Sequence, residues 1–169
     1  MAVETVTSTH VYFYGGVFSN FYPCEFELEG KTWVTSEQYF MWKKALLFGD
    51  ADTAAYIASE KDPLACKMAG RGIRSYNDEK WAEVRYKIMR DAVYNKFVQD
   101  PYLRNYILKD EFEDLIFVEA SPTDTVWGVG LDQFDERIKD ESNWRGTNLL
   151  GEVIMEVRDT ISSYYEKDA

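Results

Sequence analysis

In the stretch SEQYFMWKKALLF a carboxylate, Glu37, and an ammonium, Lys44, stand seven residues apart on what reads as one helix. At about 100° per residue, Met41, Lys44 and Phe48 fall within about 40° of Glu37, and Phe40 lies near them. The two charges therefore share an apolar face, while Tyr39, Trp42 and Leu46 cover the other side of a helix expected to be buried. A buried charge is costly unless it is paired. Seven residues of helix rise about 10.5 Å, too far for this pair to satisfy itself directly. The two can instead converge on a third object, a ligand or a water. The competing reading gives each a routine task. Glu37 is then a first-turn acid at the helix dipole, and Lys44 reaches out to water.

Three further stretches hold chemically useful residues. Asp124 precedes Trp127 and Gly128 in EASPTDTVWGVGLDQFD, with Gly130 close behind. Glycines let backbone approach a ligand, and Trp can stack on a base or wall off water. The alternative is an Asp-capped turn whose Trp anchors the loop to the core. In NWRGTNLLGE, Arg145, Gly146, Thr147 and Asn148 precede a helix. Its free N–H groups and positive dipole end suit phosphate, unless these residues simply cap it. In KMAGRG, Arg71 stands between two glycines at a helix end, where it can grip an anion or bond the last carbonyls. None of these is a P-loop, a dinucleotide fingerprint, a metal box or a nucleophile elbow.

A fourth stretch, GGVFSNFYPCEF, raises a different question. It gathers Gly16, Phe18, Ser19, Asn20 and Phe21 with no charge before Glu25. Gly and Pro break it too often for a helix, and it is too aromatic for an ordinary solvated loop.

The elements that must position these residues read as a helix-rich α+β domain with a small sheet and a hairpin. THVYFYGG alternates like a strand that ends at Gly15-Gly16. Glu29-Gly30 turns the chain between two short strands. Thr35, with Gln38 three residues on, forms a capping-box pattern for a helix that runs to about Phe48 and stops at Gly49. DADTAAYIASE and DPLACKMAGR read as short helices, the second started by Asp62-Pro63. In the longest helical pattern, Trp81, Val84, Ile88 and Ala92, followed by Tyr94 or Asn95, trace one stripe. Asp100-Pro101 begins another short helix, and LIFVEA reads as a buried strand. Residues 121–146 form a long loop, and loops of that length are usually functional or disordered. Trp127 and Trp144 argue against disorder there. The last helix starts near Thr147 or Asn148 and buries Leu150, Val153, Ile154, Val157 and Ile161.

A length of 169 residues suits one domain over 1–169, with its core over about 11–161. The aromatic share, 16% with five Trp and twelve Tyr, exceeds what such a core needs, so part of it is expected to line a binding surface. A net charge of −11 argues against a phosphate-backbone binder, which would show a basic face, but it leaves room for a nucleotide held by a few local cations. Cys24, Cys66 and the single His10 have no metal-ligand spacing, so neither metal nor cofactor is expected, and both thiols are expected to be reduced. No signal peptide and no membrane-spanning run is visible, which makes the cytoplasm the expected setting.

Together these stretches resemble the YbiA-like family, also called NADAR. The matching pieces, in order, are GGVFSNFYPCEFELEGKTWVTSEQYFMWKKALLFGD, KMAGR, Trp81, VEASPTDTVWGVGL and WRGTNLLGEVIMEVR, which cover nearly all of Tyr12 to Arg158. The resemblance implies an N-glycosidase that hydrolyses the C1′–N bond between a phosphorylated ribose and a nitrogen. Its substrate would be a ribosylamino-pyrimidine phosphate of the riboflavin pathway or ADP-ribosylated guanine, free or in nucleic acid. It also implies functional roles for Glu37, Lys44, Asp124, Trp127 and Gly128. On that basis Glu37 stabilises the cationic sugar or activates water, Asp124 is the second carboxylate and orients water or the ribose hydroxyls, and Lys44 holds Glu37 ionised, contacts the ribose or acts directly on an opened sugar. Arg71 and the Arg145, Gly146, Asn148 turn hold phosphate. Trp127 and the aromatic loop stack the base. In that loop Gly16 permits a bend toward the ligand, Ser19 offers a hydroxyl, and Asn20 offers a donor and an acceptor. Phe18 or Phe21 supplies the stacking face, with the other as anchor. The alternative is a non-catalytic module that binds ADP-ribose or a nucleotide.

Overall fold

A computed structural model describes residues 4–165. In chain order the elements are β1 (Glu4–Val6), β2 (His10–Phe13), β3 (Phe26–Leu28), β4 (Lys31–Trp33), α1 (Ser36–Leu47), α2 (Ala51–Ser59), α3 (Pro63–Arg71), α4 (Asp78–Val98), α5 (Pro101–Ile107), β5 (Ile116–Glu119) and α6 (Leu149–Tyr164). Short 3-10 turns fill part of the stretch between α5 and α6. The chain forms two compact units. One is Asn20–Asp100, and the other joins described residues 4–19 with 101–165. No helix among the described residues is long and apolar enough to cross a membrane.

The Asn20–Asp100 unit is helical with one hairpin. Glu29 and Gly30 both take positive φ, 54° and 74°, which is the turn that matches strand twist. It pairs Phe26 with Trp33. Thr35 caps α1 by accepting from the Gln38 N–H at 3.1 Å. The Gln38 side chain accepts in return from Val34, one residue before the cap, and donates to Ile57 and Glu60 at the end of α2. The cap thus also ties α1 to α2. Gly49, at φ 71°, closes α1 through Gly49 N–H to Leu46 and Asp50 N–H to Ala45, a Schellman pattern. Asp50 then caps α2 and accepts from the backbone and guanidinium of Arg74.

The buried arc of α4 differs from the expected stripe. It runs through Trp81, Met89, Ala92, Val93, Lys96 and Phe97, while Val84 and Ile88 are half-buried. Leu46, expected in the core, is 45% exposed. These three side chains line a surface cavity of about 440 Å³ together with Tyr39 and Lys87.

The other unit carries a three-stranded sheet in the order β1-β2-β5. β1 is antiparallel to β2, with Thr5 opposite Tyr12, and β5 is parallel to β2, with Phe117 opposite Val11. A parallel neighbour needs a long crossover, and here it is the whole of residues 14–115. β1, a three-residue edge strand of mixed exposure, is not among the expected strands, although Thr5 and Val6 are β-branched. α6 buries Leu150, Gly151, Val153, Ile154, Val157 and Ile161, the expected face. The long loop is packed: Val129, Leu131 and Ile138 form a cluster with Tyr12, Val118 and Ala120, and Trp144 packs against it.

Candidate active site

The candidate residues divide between the two units. In the helical unit Glu37 opens α1 and is 8% exposed. Its backbone N–H donates to the Asn20 carbonyl at 3.1 Å, and the Ser36 hydroxyl donates to Asn20 Oδ1 at 2.8 Å. Residue 20 therefore anchors the start of α1. The Asn20 amide oxygen thus gives one of its two lone pairs to Ser36, so the side chain has a scaffold task beside any ligand role.

One turn on, Met41 faces α3, where a Cβ on Gly70 would overlap Met41 Sδ. This close approach brings the Gly70 carbonyl to Lys44 Nζ at 2.9 Å. Lys44 does not extend freely to water. Its ammonium stands 4.7 Å from the Tyr76 ring centroid and 5.7 Å from that of Trp81. Tyr76 is held by a hydrogen bond to Asp78 at 2.7 Å and an edge contact with Phe48. Burial lowers the pKa of Lys44 and Arg71 adds to that effect, while Glu37 and Asp78 oppose it. Glu37 and Lys44 are thus coupled electrostatically along one face of α1. Tyr76 was not foreseen as part of this site. In IRSYNDEK it precedes a helix cap, and nothing in the local pattern marks it as a wall for a residue thirty-two positions earlier.

Arg71 ends α3 exposed, with its guanidinium on Met68 Sδ at 3.5 Å. Phe21 is half-buried, and Lys67 Nζ lies 5.9 Å from its ring centroid. The thiols of Cys24 and Cys66 are free, and burial pushes them up to about 11 and about 12.

In the sheet unit Phe18 is 1% exposed and packs on Phe13, Tyr106, Phe112 and Phe117 at centroid distances of 5.0–5.7 Å. It is core, which makes it the anchor of the two and leaves Phe21 as the candidate stacking face. Gly16, at φ 71°, turns the chain, and its carbonyl accepts from the half-buried Ser19.

Asp124 Oδ1 accepts from the N–H groups of Val126 and Trp127 at 2.9 and 2.8 Å. The Asp-capped turn is therefore real. Among the described residues Oδ2 makes no hydrogen bond, so only one of the two oxygens builds the loop.

The N-terminus of α6 is not an open phosphate cradle. The N–H groups of Thr147, Asn148, Leu149 and Leu150 donate to the carbonyls of Thr125, Gly128, Val126 and Trp127. Asn148, at φ 54°, accepts from Glu119 N–H through Oδ1 and donates to the Phe117 carbonyl through Nδ2, hooking α6 onto β5. A Cβ on Gly146 would overlap the Gly128 carbonyl, so that glycine serves packing of the two loop segments. Gly128 is itself buried against the Glu119 carbonyl. The expected phosphate roles of Gly146 and Asn148, and the ligand-approach role of Gly128, are corrected to scaffold roles. Arg145 keeps an exposed side chain, and Trp127 is half-buried. Among the described residues no three His, Cys, Asp or Glu side chains gather to hold a metal.

The NADAR domain family matches this sequence over residues 12–162. Protein irg-1 of Caenorhabditis elegans is 40% identical over 94% of this chain and 82% of its own length. N-glycosidase R617 of Acanthamoeba polyphaga mimivirus is 34% identical over 90% of this chain and 96% of its own. The NMR structure of the Escherichia coli protein YbiA has the same α+β fold, with a TM-score of 0.75 and 29% identity over 95% of this chain and 89% of that one. The matched span takes in every candidate residue named above, and the chain belongs to the NADAR domain family.

Proposed function

We propose that this chain is an N-glycosidase that hydrolyses the C1′–N bond between a phosphorylated ribose or ADP-ribose and a nucleobase-like nitrogen. The observation that carries the reading is the pairing of a buried carboxylate, Glu37, with a lysine boxed by Tyr76 and Trp81 on one face of α1. N-glycosidase R617 supports the reaction class by its name. Riboflavin-pathway ribosylamino-pyrimidine phosphates and ADP-ribosylated guanine are the substrates that the family resemblance implies.

As the C1′–N bond breaks, its electron pair leaves with the base and positive charge builds on the ribose ring. The Glu37 carboxylate stabilises that charge or takes a proton from the attacking water. Water oxygen bonds to C1′, and the proton ends on the base nitrogen. Lys44 keeps Glu37 ionised or contacts the ribose. Asp124 supplies the second carboxylate through Oδ2, and Arg71 and Arg145 offer charge to phosphate. Trp127 and Phe21 offer aromatic faces to the base.

Glu37→Gln and Asp124→Asn test this by mass-spectrometric detection of released base from a ribosylamino-pyrimidine phosphate and from ADP-ribosylated guanine DNA. Each variant is expected to fold normally and lose release by about 100-fold or more. Near wild-type turnover in both variants on every substrate overturns the assignment. A thermal shift with ADP-ribose but no released base from the wild type identifies a binding module instead.

A further inference from the structure

α3 carries two cations, Lys67 and Arg71, four residues apart and so on one side of the helix. Neither has an acidic partner among the described residues: Arg71 contacts Met68 Sδ, and Lys67 lies against the Phe21 ring. Arg71 is close enough to Lys44 for its charge to act on that ammonium. The chain has 30 acidic residues and a net charge of −11, so partners are abundant, yet among the described residues no carboxylate bonds either cation. Like charges drawn together repel, and an incoming anion relieves that repulsion. Leu64 and Met68, each 53% exposed, run beside the cations as an apolar strip on the same short helix. α3 therefore offers charge for phosphoryl oxygens next to surface for an uncharged body.

Four residues of helix rise about 6 Å. A single phosphate concentrates its oxygens at one centre, whereas two linked phosphoryl groups present oxygens at two. We infer that Lys67 works with Arg71 as a two-point clamp for phosphoryl groups, and that Lys67 sets a preference for diphosphate-linked over monophosphate substrates. This rests on the reading that the helical unit receives a phosphorylated ribose.

Calorimetric titration with inorganic pyrophosphate and with inorganic phosphate, in dilute buffer where charges are least screened, tests the clamp without any turnover. Pyrophosphate is expected to bind wild type about tenfold more tightly than phosphate. Lys67→Met is expected to erase that preference while leaving phosphate binding within about twofold, and Lys67→Arg to retain it. Arg71→Met should weaken both anions. Equal affinities in the wild type, or a preference that survives Lys67→Met, overturn the clamp. If that happens while base release stays intact, only the clamp fails. If no substrate releases base while the pyrophosphate preference holds, only the glycosidase reading fails.

Discussion

Lys44 Nζ stands 4.7 Å from the Tyr76 ring centroid while it donates to the Gly70 carbonyl at 2.9 Å. The ring shields the ammonium from water, and that burial is the main reason its pKa is lowered. Tyr76→Ala admits water and should raise the pKa of Lys44 toward the ordinary lysine value. The lost cation–π attraction acts the other way but is the smaller effect. Tyr76→Phe keeps the ring and loses only the bond to Asp78, so it should leave the titration close to wild type. Nitrogen-15 NMR titration of the lysine side chains reads this directly. Turnover should fall about 100-fold in Tyr76→Ala through misplacement of Lys44, and by less than about tenfold in Tyr76→Phe. An unmoved Lys44 titration in Tyr76→Ala would remove the ring from this role.

Lys96 is 1% exposed, with its ammonium 5.6 Å from the Tyr22 ring centroid and 5.1 Å from that of Phe97. Burial lowers its pKa to about 8, with Cys24 acting in the opposite sense. The unfolded chain has the ordinary value near 10.5, so the folded state gives up this proton first. Below about pH 8 both states hold it, and the full cost of the buried charge stands. From about pH 8 to 10.5 the unfolded state binds more protons, so stability climbs with pH, by on the order of 3 kcal/mol. The buried thiols and tyrosines pull the other way at high pH. Urea denaturation at several pH values should therefore compare wild type with Lys96→Met. The difference in their curves is expected to carry the climb, and parallel curves would show that Lys96 does not titrate in this range.

What the sequence made legible was local. Thr35 and Gln38 marked the start of α1 because capping involves neighbours, and Glu29-Gly30 marked the hairpin because a two-residue turn is written in its own residues. The buried side of α6 followed from its 3.6-residue period. The open choices and misreadings concern partners far away in sequence. Phe18 looks like a loop aromatic until Phe112 and Phe117 meet it some hundred residues later. The α6 N-terminus looks open until the 125–128 carbonyls claim its N–H groups. Lys96 gave no signal at all, since a lysine in a long helix is ordinarily solvated. Glu37 and Lys44 were readable as a pair because both lie on one helix. The wall built by Tyr76 was not, because it comes from a separate segment.

Phe18 and Phe21 should separate stability from recognition. Phe18→Leu loses ring contacts with Phe13, Tyr106, Phe112 and Phe117. It is expected to cost about 1–3 kcal/mol in urea denaturation with KM unchanged. Phe21→Leu should leave the melting temperature within a few degrees and raise KM, or change base preference, by about tenfold. The reverse pattern would return Phe18 to the site.

Asn148 supplies the sharpest contrast between a scaffold role and a ligand role. Its side chain bonds the Glu119 N–H at 3.0 Å and the Phe117 carbonyl at 2.9 Å, and it is 3% exposed. Asn148→Ala leaves both β5 groups unpaired in a buried place and puts a plain Cβ at φ 54°. The expected cost is about 3–5 kcal/mol, combining the unpaired groups with left-handed strain. Asn148→Gly removes the strain but not the lost bonds, and should recover about 1 kcal/mol of that. Neither change should move KM for a phosphorylated substrate by more than about twofold at temperatures where the protein stays folded. Urea denaturation with steady-state kinetics measures both effects on the same samples. A stable Asn148→Ala protein with a tenfold higher KM would mean that the side chain contacts substrate after all. An unstable one with normal KM would mean that Asn148 serves the reaction only by fixing the start of α6 on β5, where the second oxygen of Asp124 depends on the same loop.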